Sequence, residues 1–228
     1  MFKEEIYLHS GLLERLKENK QLKLFNTQIF VKDPLPEGID LENVLRRIKR
    51  VVPDFLFYEI DVIYIGQFDE LVQKQVNAMY KDGAFYVTNA QSSEEDMMDD
   101  IIHELAHAIE TTYPTEIYSD GAIESEFLAK RLRLAGILKR EKYDITGLNL
   151  TNLDYSYELD MFLYKDIGYA KLRNLTGGIF VTAYSPTSLR EYFAEGFEYY
   201  YLNDREYLYK CCPKLFNIIK NIDSMGDK

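Results

Sequence analysis

The chain has 228 residues, 46% of them hydrophobic, enough apolar material for a sizeable core in one large domain or two small ones. A net charge of −11 disfavours nucleic acid as a partner, and the sequence holds no run of about 18 apolar residues that could span a membrane as a helix. The two cysteines, Cys211 and Cys212, are adjacent, which suits neither an ordinary disulfide nor a four-ligand zinc site and is consistent with a reducing compartment.

Met1, Phe2, Lys3, Glu4 and Glu5 bring charge early and lead into no apolar stretch, so the start does not read as a signal peptide. The expectation is a cytoplasmic protein, or one exported by a route that the sequence does not spell out. Residues 4–24 read as a helix with Leu8, Leu12, Leu13 and Leu16 on one side. Residues 29–31 read as a short strand, ended by the Pro- and Gly-containing run at 33–38. Asp40 caps a helix that continues to about Val51 and stops at Pro53. Residues 55–68, rich in aromatic and β-branched types, predict one strand or two, and 69–77 match no single pattern. Residues 78–80 and 84–88 form a hairpin around Asp82-Gly83.

Ser92 with Glu95 makes a capping box for the next helix, whose first turn carries Glu94, Glu95 and Asp96 where the helix dipole favours acids. That helix runs through Ile109 and ends at Tyr113-Pro114. It carries His103-Glu104-Leu105-Ala106-His107, an H-E-x-x-H motif. Residues i and i+4 of a helix stack on one face about 6 Å apart, so two imidazoles can share one Zn²⁺. The glutamate between them can reach water on that metal and act as general base. The hairpin directly before the motif offers a strand along which an extended protein or peptide substrate can be laid.

Residues 120–139 predict a long amphipathic helix with Ile123, Phe127, Leu128, Leu132, Leu134 and Ile137. The basic residues at 46–50 and 130–140 fall at helical spacing and read as solvated faces. Residues 144–155 form a loop, and 157–175 a helix stopped by Gly177-Gly178. Ser185-Pro186 opens another, with Ser as N-cap and Pro at its first position, continuing to Tyr201; Pro213 opens the last, to about residue 222. No repeat or linker is visible, and the strands precede residue 90. The fold class is α+β: a small mixed sheet followed by a mostly helical half.

A catalytic zinc needs a third protein ligand. No histidine follows His107, and His9 sits far upstream, so the third ligand is expected to be a carboxylate, or a cysteine. Glu124 and Glu126, 17 and 19 residues past His107, lie near the spacing of thermolysin-like peptidases. Those enzymes add an aspartate four residues further on, where Leu128 and Lys130 stand here. The competing place is 184–197, where Glu191 and Glu195 share one helix face with Ser188 and lie beside Phe193 and Phe197. Two acids on an inward face are costly unless paired or metal-bound.

This second segment resembles the C-terminal metallopeptidase domain of anthrax lethal factor and the related clostridial Pro-Pro endopeptidases. In that family a tyrosine precedes the ligand glutamate by seven residues, as Tyr184 precedes Glu191, and Phe193-Ala194-Glu195-Gly196-Phe197 continues the pattern. His103 to Glu110 is similar to the family's motif helix with its trailing acid, and 210–216 to its tail. The resemblance covers about 78–112 and 180–222. The 84 residues from His107 to Glu191 exceed the expected separation, which points to a helical insertion at 111–180.

The resemblance implies one zincin-like domain over 1–228. Its parts are a helix-and-strand portion at 1–77, the hairpin and motif helix at 78–110, the insertion, and a third-ligand helix with a C-terminal helix at 181–228. It implies one Zn²⁺ on His103, His107 and Glu191, with Glu104 as base and Tyr184 donating to the oxyanion. Glu195 and Glu110 then orient the histidines through their free ring N–H groups. The expected activity is zinc endopeptidase cleavage of a protein substrate. The alternatives are the same site with Glu126 or Glu124 as third ligand, and a non-catalytic assembly protein retaining the fold, for which the 19 tyrosines would suit a partner interface.

Overall fold

The computed structural model describes residues 22–227. Alternating apolar residues pair β1 (Leu22–Leu24) with β2 (Thr27–Val31) as an antiparallel hairpin. The helix expected at 4–24 therefore fails at its end, where 22–24 join the sheet; residues 4–21 lie outside the described ones. Asp40 caps α1 (Leu41–Val51) as expected, its carboxylate accepting from the Asn43 amide, and Leu41, Val44, Leu45 and Ile48 form the buried face. Only the second half of 55–68 is strand. Pro53, with its fixed φ, opens a 3₁₀ turn at Asp54–Phe57, and β3 (Val62–Gly66) follows. The run without a clear pattern contains a short helix, α2 (Asp69–Lys74).

The hairpin is β4 (Ala78–Lys81) and β5 (Ala84–Thr88). Asp82 and Gly83 have φ of 50° and 79°, the pair of left-handed conformations a two-residue type I′ turn requires. The sheet order is β1-β2-β3-β5-β4, with β2, β3 and β5 parallel and an antiparallel strand at each edge. Ile29, Ile63 and Phe85 share one register row, and Val31, Ile65 and Val87 the next, on the face covered by α1 and α3 (Glu94–Thr112). The opposite face carries the stacked rings of Phe30, Tyr64 and Tyr86. The cap of α3 is Ser93, not Ser92: the Ser93 hydroxyl accepts from the Asp96 amide, one residue later than the expected box.

The helical half contains α4 (Pro114–Tyr118), α5 (Ala122–Arg140), α6 (Tyr157–Met161), α7 (Tyr169–Thr176), α8 (Leu189–Leu202), α9 (Arg205–Cys211) and α10 (Pro213–Asp223). The helix expected over 157–175 is interrupted by a π-helical turn at Phe162–Ile167 and by Gly168 at φ 82°. The helix after Pro186 begins later than expected. Ser188 is its cap, accepting from the Glu191 amide, while Ser185 bonds Thr182. On α5 the buried face is Ile123, Phe127, Arg131, Leu134 and Leu138. Arg131 is thus interior rather than solvated, while Leu132, expected on the apolar face, is 59% exposed.

Helix α8 is the centre of this half. Tyr192, Phe193, Ala194 and Phe197 are fully buried between α3, α5 and α10. Gly196 lets α10 approach: a Cβ there would lie 2.2 Å from Leu215 Cδ2. Among the described residues, no helix is long and apolar enough to cross a membrane.

Candidate metal centre

The helical period places His103 and His107 on one face of α3, their rings 5.0 Å apart and nearly perpendicular. Helix α8 packs across that face. The Ser188 cap sets its first turn, and Glu191 lies there, where the positive helix end favours a carboxylate. Glu191 Oε2 is 3.1 Å from His103 Nε2, and Glu191 Oε1 is 3.7 Å from His107 Nε2. One donor atom from each residue lies within 4.8 Å of the others, so the three could hold a metal ion.

The remaining ring nitrogens also meet acids. His103 Nδ1 is 3.5 Å from Glu198 and 3.8 Å from Glu195. His107 Nδ1 is 3.6 Å from Glu110, which itself accepts from Arg190 Nε at 2.9 Å and from the Tyr118 hydroxyl. Arg190 Nε also lies 3.2 Å from His107 Nδ1. Partners of this kind select the tautomer and ring orientation of a metal-binding histidine.

Burial and charge oppose each other here. Burial disfavours an imidazolium at His103, yet Glu191, Glu198 and Glu195 raise its pKa well above the ordinary value. Burial likewise acts to raise Glu191, but His103 and His107 hold it below the usual carboxylate range. Glu195 is pushed up to about 7 by burial and by Glu198, and Asp99 to about 7 by burial and the same neighbour. This flank of the site is crowded with acids that resist simultaneous ionisation.

Glu104 is buried, and its Oε2 accepts from the Tyr80 amide of the edge strand β4 at 2.5 Å. Tyr184 is half-buried in the irregular segment before α8. Burial, then the charges of Glu191 and Asp160, hold its phenol proton more firmly than usual.

The structure thus gathers His103, His107 and Glu191, with Glu195 and Glu110 against the histidines. Glu126 is engaged elsewhere: it accepts from the Tyr192 hydroxyl at 2.8 Å and from the Lys214 and Leu215 amides at 2.9 and 3.2 Å, joining α5 to the start of α10. Among the described residues, Glu124 belongs to no cluster able to hold a metal. Sequence reasoning missed Glu198 and Arg190. Glu198 had a signal, since 191, 195 and 198 follow the i, i+4, i+7 stripe of one face. Arg190 had none beyond adjacency to Glu191.

Compared with known families, residues 3–222 match the family described as anthrax toxin lethal factor, N- and C-terminal domain. Comparison with curated proteins and with solved structures yields no match.

Proposed function

The chain belongs to the anthrax toxin lethal factor family, and from that premise we propose that it is a zinc-dependent endopeptidase. The observation that carries this reading is the convergence of His103, His107 and Glu191 from two helices, within 4.8 Å. Two imidazoles and a carboxylate are the donor set of a catalytic zinc. Bonds of about 2.0–2.2 Å in a tetrahedron put donor atoms about 3.3–3.6 Å apart. The 3.1 and 3.7 Å separations here bracket that range. Behind His103, Glu198 and Glu195 stand 3.5 and 3.8 Å from Nδ1 as acceptors for its N–H; behind His107, Glu110 stands 3.6 Å from Nδ1, which also receives the Arg190 Nε–H at 3.2 Å.

Zinc held in this set supplies a Lewis acid that lowers the pKa of water toward about 7. Glu104 takes the proton from the attacking water and delivers it to the leaving amine. Its bond to the Tyr80 amide anchors that carboxylate beside the edge strand β4. A protein substrate in extended form adds to that edge by main-chain pairing, which brings its scissile bond alongside Glu104. Tyr184, kept protonated, donates to the oxyanion that develops on the carbonyl.

The test is zinc stoichiometry by mass spectrometry on wild type, Glu191→Ala and Glu126→Ala, together with cleavage of a peptide library. About one zinc per chain is expected in wild type and in Glu126→Ala, with loss or sharp weakening in Glu191→Ala and chelator-sensitive cleavage by wild type. Zinc retained in Glu191→Ala and lost in Glu126→Ala would transfer the third-ligand role. A wild type that takes up zinc yet cleaves no peptide would favour a non-catalytic assembly role.

A further inference from the structure

The segment between the two metal-facing helices delivers a second polar cluster to the same side of the molecule. Asp160 on α6 is buried at 8% exposure, and each of its oxygens is occupied by a phenol. Tyr169 donates to Oδ1 at 2.9 Å and Tyr155 to Oδ2 at 2.7 Å. A buried carboxylate is tolerated only when satisfied in this way. The Tyr169 ring in turn stands edge-on to Tyr184, with centroids 6.2 Å apart and planes at 81°. Asp160, Tyr169 and Tyr184 thus form a continuous line, and Tyr184 lies close enough to Glu191 to feel its charge.

The backbone reinforces this line. The buried guanidinium of Arg131 donates from Nε to the Pro186 carbonyl at 2.8 Å, from one terminal nitrogen to the Thr187 carbonyl at 2.6 Å, and from the other to the Asn152 carbonyl. The Leu189 amide donates to the Leu153 carbonyl at 2.8 Å. The loop carrying Tyr155 and the loop carrying Tyr184 are therefore tied together by four hydrogen bonds to five backbone groups.

We propose that Asp160, gripped by Tyr155 and Tyr169, is a positioning residue that fixes the phenol of Tyr184 toward the His103–His107–Glu191 cluster. The long segment between the motif helices then has a role, since it supplies the support that holds the tyrosine in place. The kinetic part of the inference rests on the peptidase reading; the spectroscopic part does not.

Two measurements test it, with Asp160→Asn chosen for its unchanged shape and Tyr169→Phe, which keeps the ring and removes only the tie to Asp160, as the second variant. In steady-state peptide cleavage, each variant should lower kcat about tenfold or more while KM stays within about twofold. The same substitutions made in a Tyr184→Phe background should cause no further loss, because the residue they act through is gone. An equal loss of kcat in both backgrounds would overturn the proposal, since Asp160 would then act by another path. In zinc-loaded or metal-free protein labelled with 3-fluorotyrosine, the Tyr184 fluorine line is assigned by its disappearance in Tyr184→Phe. That line should shift and broaden in Asp160→Asn and in Tyr169→Phe. A line unchanged in both variants would also overturn the proposal, even in a protein that cleaves nothing.

Discussion

The side chain of Glu104 and the backbone amide of Tyr80 are joined by a 2.5 Å hydrogen bond that ties the middle of the H-E-x-x-H motif to the open edge of the sheet. The two residues come from different elements. Helix α3 presents its histidines to α8 and this glutamate to β4, so a single helix serves two faces. Tyr80 N–H points outward because β4 is the last strand, paired only with β5. An edge amide that would otherwise be left to solvent holds the proposed base.

Replacing that carboxylate by an amide separates binding from chemistry. In Glu104→Gln the side-chain oxygen still accepts from Tyr80, so fold and metal site persist, while the capacity to take a proton is lost. The expected outcome is zinc content equal to wild type with kcat lower by about 10²–10⁴-fold, the usual contribution of a general base. Mass spectrometry and a fluorogenic peptide assay read the two quantities. A Glu104→Gln protein that cleaves at wild-type rate would remove this residue from the mechanism.

How much of the fold and site is legible in the sequence depends on whether the signal is local. The Asp82-Gly83 hairpin, the Asp40 cap and the two histidines are each written within a few residues, and the structure has them there. Glu191 is legible through its i, i+4 pairing with Glu195 on an inward face and its spacing to Tyr184, although nothing near it says that α8 will lie against α3. The cap of α8 is ambiguous because Ser185-Pro186 and Ser188 both satisfy helix-start rules; the Pro186 and Thr187 carbonyls are taken by Arg131, and the helix begins after them. Arg131 itself is illegible. A buried arginine is justified only by its partners, and these are carbonyls 21, 55 and 56 residues away. Asp160 is of the same kind, an acid whose burial makes sense only once two tyrosines have closed on it.

The contact between α8 and α10 makes Gly196 sensitive. An added methyl would meet Leu215 Cδ2 at 2.2 Å and Cγ at 2.8 Å, so the leucine must leave its site. Gly→Ala in a helix interior gains about 1 kcal/mol from propensity, whereas overpacking costs about 1–3 kcal/mol. Gly196→Ala should therefore be destabilised by up to about 2 kcal/mol, a Tm fall of several degrees at about 2–4 °C per kcal/mol for a chain of this size. Thermal unfolding of Gly196→Ala, Leu215→Ala and the double variant measures it. The double variant should lose less than the sum of the singles, because truncating Leu215 makes room for the methyl. Strict additivity would show that the clash is not the cause.

The acids flanking the site predict a pH dependence of a particular sign. Asp99 is raised to about 7, first by burial and then by Glu198, Asp96 and Asp100. Its unfolded value is near the ordinary 3.8, so between these two values the folded chain keeps a proton that the unfolded chain has released. Stability from this group is then full below about 3.8 and is lost as pH rises through about 7. The metal-free protein should accordingly melt at a lower temperature at pH 8 than at pH 5. Asn at position 99 cannot ionise, so Asp99→Asn should be the more stable protein at pH 8, with a gap that narrows toward pH 5. Because the side chain is partly exposed, solvent screening reduces the gain to about 1 kcal/mol, or about 2–4 °C. Glu195, also raised to about 7, remains in the variant and preserves part of the slope. Melting curves in chelator across pH 5–8 decide the matter: parallel profiles for the two proteins would mean that Asp99 does not carry the strain assigned to it.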